Sequence, residues 1–124
     1  KGTRTIRGKQ WQSYIETPAF PEHVSGHSTF SRAAAVILKN FTGSDQFGAC
    51  YVVKKGSSRI ETNCEVPCVD ITLDWPTFTS TAEQAGLSRL YGGIHFKRGN
   101  ELGQKLGNFI GTQSWEKASF FFNE

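Results

Sequence analysis

Two short stretches of the chain hold residue types that suit chemistry on an anion. The first is Ser25-Gly26-His27-Ser28, which places a hydroxyl, an unhindered backbone N–H and an imidazole at the start of an expected helix. Free N–H groups and the dipole at a helix N-terminus both favour negative charge. Gly26 also lacks a Cβ that would block a closely bound oxyanion. The stretch therefore predicts an anion site, with an ordinary turn beside a surface histidine as the alternative.

The second stretch supplies an arginine and another histidine. Arg89 is followed six residues later by His95. A guanidinium group is a planar set of donors that suits a tetrahedral oxyanion. His95 is a candidate ligand of a metal oxide or a candidate nucleophile toward phosphorus, which leaves His27 to exchange protons. Taken separately, Arg89 equally suits a surface ion pair, and His95 suits a buried, hydrogen-bonded position.

The elements that position these residues are expected to be helices. Phe30, Ala34, Ile37 and Phe41 recur at helical spacing and predict a helix that starts at Ser28 and stops between residues 40 and 43. The candidate anion site then lies at the beginning of this helix.

A second helix is predicted from Thr81 to about Tyr91. Ser80 and Glu83 have the spacing of a capping box, in which each side chain satisfies a free backbone donor of the other residue. Gly92-Gly93 is expected to end the helix. Arg89 would therefore lie in its last turn, with His95 just beyond it.

A last helix is predicted to begin near Asn100, with leucine and isoleucine side chains recurring every four residues. Glycines recur at the same interval, although each costs an interior helix position about 1 kcal/mol relative to alanine. Absent side chains let two helix backbones approach closely, so the stripe predicts a helix–helix contact. The glycines are Gly99, Gly103, Gly107 and Gly111.

The middle of the chain is predicted to be rich in loops, with short strands at Ala49–Val53 and Val69–Leu73. Three cysteines lie in this region, which allows either one disulfide and a thiol or three thiols. They are Cys50, Cys64 and Cys68. The fold class that follows is mainly α, a helical bundle with a loop-rich middle segment.

Length and charge exclude several classes of protein. The 124 residues suit one domain, and a formal charge of +3 is too small and dispersed for a nucleic-acid-binding surface. No apolar run reaches about 18 residues, which excludes a membrane-spanning helix. No leader sequence is recognisable, and we expect a processed product or part of a longer protein. Asn40-Phe41-Thr42 is a glycosylation sequon, which favours a secretory route.

The joint pattern of the two chemical stretches resembles a known superfamily. Ser25-Gly26-His27-Ser28 and Ser88-Arg89-x5-His95 are similar to the second and third motifs of vanadium-dependent haloperoxidases and type 2 phosphatidic acid phosphatases. The flanking residues, such as Phe20-Pro-Glu and Tyr91-Gly-Gly-Ile-His, are closer to the haloperoxidases. The resemblance covers about residues 15–40 and 75–112. It implies that residues 1–124 are a single domain, or the C-terminal fragment of a larger helical domain.

The resemblance also implies a role for each site residue. His95 would be the axial ligand of vanadium in a bound vanadate, or the phosphorylated nucleophile of a phosphatase. Arg89, Ser25 Oγ and Gly26 N–H would hold the oxyanion, and His27 would be the acid–base group. The implied reaction is oxidation of a halide by hydrogen peroxide, with a small organic molecule as further acceptor. Vanadium would act as a Lewis acid. Phosphate ester hydrolysis and a non-catalytic anion-binding or structural subunit are the alternatives.

Two positions depart from the family pattern. The first motif, Lys-x6-Arg-Pro, is not found in these residues, so we expect a remaining N-terminal portion or a partner chain to supply it. Gly99 stands four residues after His95, where many relatives have an aspartate that orients the imidazole. A backbone carbonyl is one candidate to replace that aspartate, and the sequence does not identify the partner of His95. Glu22 is a further candidate for tuning His27, although a solvated loop carboxylate is the simpler interpretation.

Overall fold

The computed structural model describes residues 5–61 and 66–122 of the chain. Among the described residues, three helices make up about half of the chain, and two strands, which lie between the first and second helices in chain order, form a small antiparallel sheet. The elements are α1 (Gly26–Thr42), β1 (Gln46–Val53), β2 (Ile71–Thr77), α2 (Phe78–Tyr91) and α3 (Lys97–Phe122), preceded by a single 3-10 turn at Gly8–Gln10. The predicted class, a mainly α bundle, is confirmed.

Helix α1 is capped at both ends by residues that suit those positions. The Ser25 side chain accepts a hydrogen bond from the Ser28 N–H, which satisfies one free donor of the first turn. Gly43 ends the helix in the left-handed conformation, with φ of 71°, and its N–H donates to the Asn40 carbonyl. The predicted helix is therefore confirmed, and it begins two residues before the expected start.

Helix α2 begins at Phe78, and the predicted cap at Ser80 and Glu83 is wrong. The capping residue is Thr77, whose Oγ1 accepts the Ser80 N–H at 2.9 Å, while Ser80 Oγ accepts the Thr77 N–H at 3.3 Å. Strand β2 runs directly into this helix, so Thr77 is the last extended residue and Ser80 already lies in the first turn. The helix ends at Tyr91, as predicted.

Helix α3 begins at Lys97, three residues before the expected start, and packs along α1 through its glycine stripe. A Cβ built on Gly103 would lie 2.8 Å from the Ser25 carbonyl oxygen, and one on Gly111 would lie 2.8 Å from that of Ala33. A Cβ on Gly107 would overlap the Thr29 carbonyl. The predicted close helix–helix contact is confirmed.

The sheet is longer than the two predicted strands. Its register pairs Cys50 with Asp74 and is interrupted between Gln46 and Ala49, opposite Pro76. Proline has no N–H to donate to a ladder, which explains both the irregularity and the missed length of β2. Cys50 and Cys68 are exposed and are not bonded to each other, whereas Cys64 lies outside the described residues.

The interior is built from small side chains, while many large apolar ones remain exposed. The buried apolar residues include Ala35, Ala82 and Ile94, whereas Phe30 and Phe41 on α1 are 77% and 73% exposed. None of the helices within residues 5–61 and 66–122 is long and apolar enough to cross a membrane.

Candidate anion-binding site

The start of α1 is held rigidly against the start of α3. Ser25 is fully buried, and its N–H donates to the Gly99 carbonyl at 3.2 Å. Its own carbonyl accepts both the N–H and the hydroxyl of Thr29. Gly26 is the first helical residue, so its N–H has no acceptor within the helix. Among the described atoms, only the Phe30 ring, at 4.0 Å, approaches the place of a Gly26 Cβ.

A glycine turn brings His95 back toward the end of α2. The Gly92 N–H donates to the Ser88 carbonyl, and Gly93 has a φ of 72° that a side chain would oppose. The chain then reverses, so that the Ile94 N–H donates to the Arg89 carbonyl at 3.2 Å. The spacing between Arg89 and His95 therefore corresponds to one tight turn folded onto the helix end.

The imidazole of His95 is almost completely buried and is held by a carboxylate. Only 1% of its side chain is exposed, and Nδ1 lies 3.3 Å from Glu22 Oε1. The same oxygen accepts the Phe96 N–H at 3.0 Å. This backbone hydrogen bond is the main cause that lowers the pKa of Glu22, and His95 lowers it further against the opposing effect of burial. Glu22 is therefore ionised and can only accept, so Nδ1 carries the proton.

This contact corrects one expectation from the sequence and identifies the partner of His95 Nδ1. Glu22 is a hydrogen-bonding partner of His95 instead of a solvated loop carboxylate. The group that holds Nδ1, which the sequence left open with a backbone carbonyl as one candidate, is a side chain from the loop before α1. The only signal in the sequence is indirect: a glycine at position 99 leaves room for a side chain from elsewhere.

A buried polar network lies beneath the start of α1 and was also missed. Ser28 Oγ is 2.9 Å from Ser25 Oγ and 2.5 Å from Asn100 Oδ1. Gly86 on α2 leaves the necessary space, since a Cβ there would overlap the Asn100 amide. The Ser28 hydroxyl has a single proton to donate. If the Asn100 amide oxygen accepts that proton, the Ser25 hydroxyl donates its own proton to Ser28. If the Asn100 NH2 group faces Ser28 instead, Ser28 donates to Ser25, and the Ser25 proton is free for an anion. Asn100 thus determines what Ser25 can donate.

His27 lies within electrostatic reach of Arg89 and His95. Partial burial is the main cause that lowers the pKa of His27, and electrostatic interaction with Arg89 and then with His95 lowers it further. The two imidazoles line different depressions of the surface, His95 with Glu22 and Ile94, and His27 with Gly26. The structure thus brings both predicted stretches to one end of the α1–α2–α3 bundle.

Arg89 supplies an observation that tests whether an oxyanion fits here. Its Nε is buried and has no hydrogen-bond partner among the described residues. A buried charged donor of this kind requires an acceptor. Within the described ranges, no group of three or more His, Cys, Asp or Glu side chains is placed to hold a metal ion. One imidazole, one guanidinium and a free helix N-terminus form instead a donor set that suits vanadate or phosphate.

Fold and site together define a helical-bundle domain with a candidate anion site that contains histidine and arginine. Residues 1–124 match the family described as the second helical-bundle domain of vanadium chloroperoxidase. The chain belongs to this family, within the vanadium haloperoxidase superfamily.

Three solved structures of bacterial proteins are similar to this chain. A holo-type bacterial vanadium-dependent chloroperoxidase is 27% identical over 93% of the chain, with a TM-score of 0.82, and an apo-type structure gives 27%, 93% and 0.83. A bacterial vanadium-dependent iodoperoxidase is 36% identical over 84% of the chain, with a TM-score of 0.62. The chain spans 24%, 25% and 22% of the chains in those three structures. Comparison with curated proteins gives no significant match.

Proposed function

We propose that this chain forms part of a vanadate-dependent haloperoxidase, in which hydrogen peroxide oxidises a halide. The buried, unpartnered Nε of Arg89 among the described residues is the observation that carries the proposal, because it calls for an anion at the position where both motifs meet. The similarity to chloroperoxidases and an iodoperoxidase supports vanadate as that anion.

Each residue has a task that follows from its surroundings. When bound, vanadate would supply a Lewis-acidic centre that activates hydrogen peroxide toward a halide. His95 would bind it through Nε2, because Glu22 engages Nδ1. Arg89 and the Gly26 N–H would neutralise and hold its oxygens, with the Ser25 hydroxyl as a further donor.

His27 would move the protons of the reaction. Its pKa lies below the usual value for histidine, so the imidazole is neutral at pH 7 and can accept a proton. The same ring, once protonated, can return the proton to a leaving oxygen. An exposed position at the start of α1 suits such exchange with solvent and substrate.

We further propose that a remaining N-terminal portion, or a partner chain, completes the cationic site with a Lys-x6-Arg-Pro motif. The chain covers about a quarter of its structural relatives, which leaves ample sequence for such a segment. Exposed aromatic side chains on α1 and α3, such as Phe30, Phe41 and Phe109, offer apolar area for its packing.

The test is a halogenation assay of the complete protein. With vanadate, hydrogen peroxide and bromide, we expect bromination of a phenolic dye that stops when vanadate is omitted. His95→Ala should abolish it, whereas Lys105→Ala on the exposed surface of α3 should not. Hydrolysis of a chromogenic phosphate ester without halogenation would overturn the proposal in favour of a phosphatase. If the complete protein shows neither halogenation nor hydrolysis, the result would favour a non-catalytic subunit.

A further inference from the structure

The carboxylate of Glu22 connects two parts of the site that are distant in sequence. Glu22 belongs to the loop before α1, whereas its two donors, His95 Nδ1 and Phe96 N–H, follow the end of α2. Both donors converge on the single oxygen Oε1, at 3.3 Å and 3.0 Å. The backbone donor is fixed by the fold, so it locates the carboxylate for the imidazole.

The space occupied by this carboxylate exists because residue 99 has no side chain. A Cβ on Gly99 would overlap Glu22 Oε1 and would lie 2.8 Å from its Cδ. The backbone of the same residue receives the Ser25 N–H at 3.2 Å. Gly99 therefore accommodates Glu22 with its missing side chain and fixes Ser25 with its carbonyl.

We propose that Glu22 is the positioning residue for His95 and that the glycine at position 99 is what admits it. By accepting a hydrogen bond from Nδ1–H, Glu22 fixes the ring orientation and leaves the Nε2 lone pair directed to the anion site. The expected effect on vanadate affinity rests on the proposed function. The expected effect on the His95 tautomer is independent of it.

The burial of the two partners indicates why the contact is required. The His95 side chain is 1% exposed, so few water molecules can replace a lost partner at Nδ1. Glu22 is 33% exposed and keeps solvent contact, which lowers the cost of holding a charge there. Removing the carboxylate leaves a buried ring donor unsatisfied and frees the ring to rotate or change tautomer.

The first experiment reads the tautomer directly, by 15N NMR of imidazole-labelled complete protein without vanadate. We expect the wild type to show His95 protonated at Nδ1, and Glu22→Ala to lose that preference. Glu22→Gln should retain much of the preference for the Nδ1-protonated ring, because an amide oxygen still accepts a hydrogen bond from Nδ1–H. An unchanged His95 tautomer in folded Glu22→Ala would overturn the proposal.

The second experiment exchanges the position of the carboxylate. Gly99→Asp alone should lower vanadate affinity, because its side chain competes with Glu22 for one space. Glu22→Ala should lower it by about 10- to 100-fold, as loss of such a supporting group commonly does. The double variant Glu22→Ala with Gly99→Asp should recover most of this loss. A merely structural role for Glu22 predicts no such recovery, and its absence in a folded double variant contradicts the proposal.

The two hypotheses fail in different ways. If wild-type protein binds no vanadate but Glu22 governs the His95 tautomer, the proposed function fails and the positioning role stands. If vanadate binds and Glu22→Ala changes neither its affinity nor the tautomer, the positioning role fails and the proposed function stands. Circular dichroism of every variant verifies that the helices remain intact.

Discussion

Two regions of this small domain are built in opposite ways. Along the α1–α3 contact, glycines bring backbones together until the Ser25, Thr29 and Ala33 carbonyls lie against α3. The β1–β2 sheet presents exposed side chains instead, with Tyr51 62% and Val52 40% exposed. Site residues cluster at one end of the close contact. The placement of the candidate site residues thus depends on the α1–α3 contact, where an added methyl group does not fit.

The largest expected effect comes from adding that methyl group to the helix contact. Gly107→Ala should lower the free energy of unfolding by about 2–3 kcal/mol, because its Cβ would overlap the Thr29 carbonyl. Backbone atoms must move to relieve this overlap, which outweighs the gain of about 1 kcal/mol in helix propensity. Chemical denaturation of the complete protein measures the change.

Two matched alanine substitutions separate steric from conformational causes. Gly56, in the loop after β1, has a φ of 68° but no described atom within 4 Å of its Cβ position. Gly56→Ala should therefore cost only the left-handed strain of about 1–2 kcal/mol. Gly8→Ala, with neither constraint, should be close to neutral. A Gly107→Ala variant that is no less stable than Gly56→Ala would show that the helices separate easily.

A smaller effect is expected from the buried network at the end of that contact. Ser28→Ala leaves the Asn100 amide without its partner in a buried position, which should cost about 1–3 kcal/mol of unfolding free energy. The matched polar deletion is Lys54→Ala, one residue beyond β1, which removes an exposed ion pair with Asp70 of 2.7 Å. For Lys54→Ala we expect no resolvable change in the free energy of unfolding, since water and salt replace such a pair. Equal losses in both variants would contradict the comparison.

Sequence reasoning located the helices whose signals are local. The helical spacing of Phe30, Ala34 and Ile37 located α1, and the four-residue repeat of glycines predicted the contact that α3 makes. Arg89 and His95 could be paired because one short turn connects them. Each of these signals lies within a few turns of one element.

The missed features depend on where separate elements meet. The bond between Glu22 and His95 joins residues 73 positions apart, and no periodicity encodes it. Asn100 and Ser28 are 72 positions apart. The cap of α2 was misplaced because Thr77 and Ser80 both offer hydroxyls, and only the end of β2 decides between them. Contacts between residues so far apart in the sequence can be identified only from the three-dimensional structure.

The smallest expected effect is electrostatic and concerns His27 at the site end of α1. Partial burial, together with electrostatic interaction with Arg89 and His95, holds the pKa of this imidazole below its usual value. A dianion bound between these groups offsets the positive charges, so saturating sulfate should raise the pKa of His27. NMR titration of the imidazole measures the shift, and Arg89→Gln should raise the pKa without sulfate while weakening sulfate binding.

The sign of this shift determines how sulfate affinity depends on pH. Because the bound state has the higher His27 pKa, binding takes up a proton, and affinity should increase as pH falls through the window between the two pKa values. Sulfate stays dianionic across that window, so the change reports the protein. Asp70, one residue before β2, is the control, since hydrogen bonds from Lys54 and Lys55 lower its pKa without any contribution from a site residue and sulfate should not alter it. A His27 pKa that sulfate leaves unchanged would place the anion away from this imidazole and would assign proton transfer to another group.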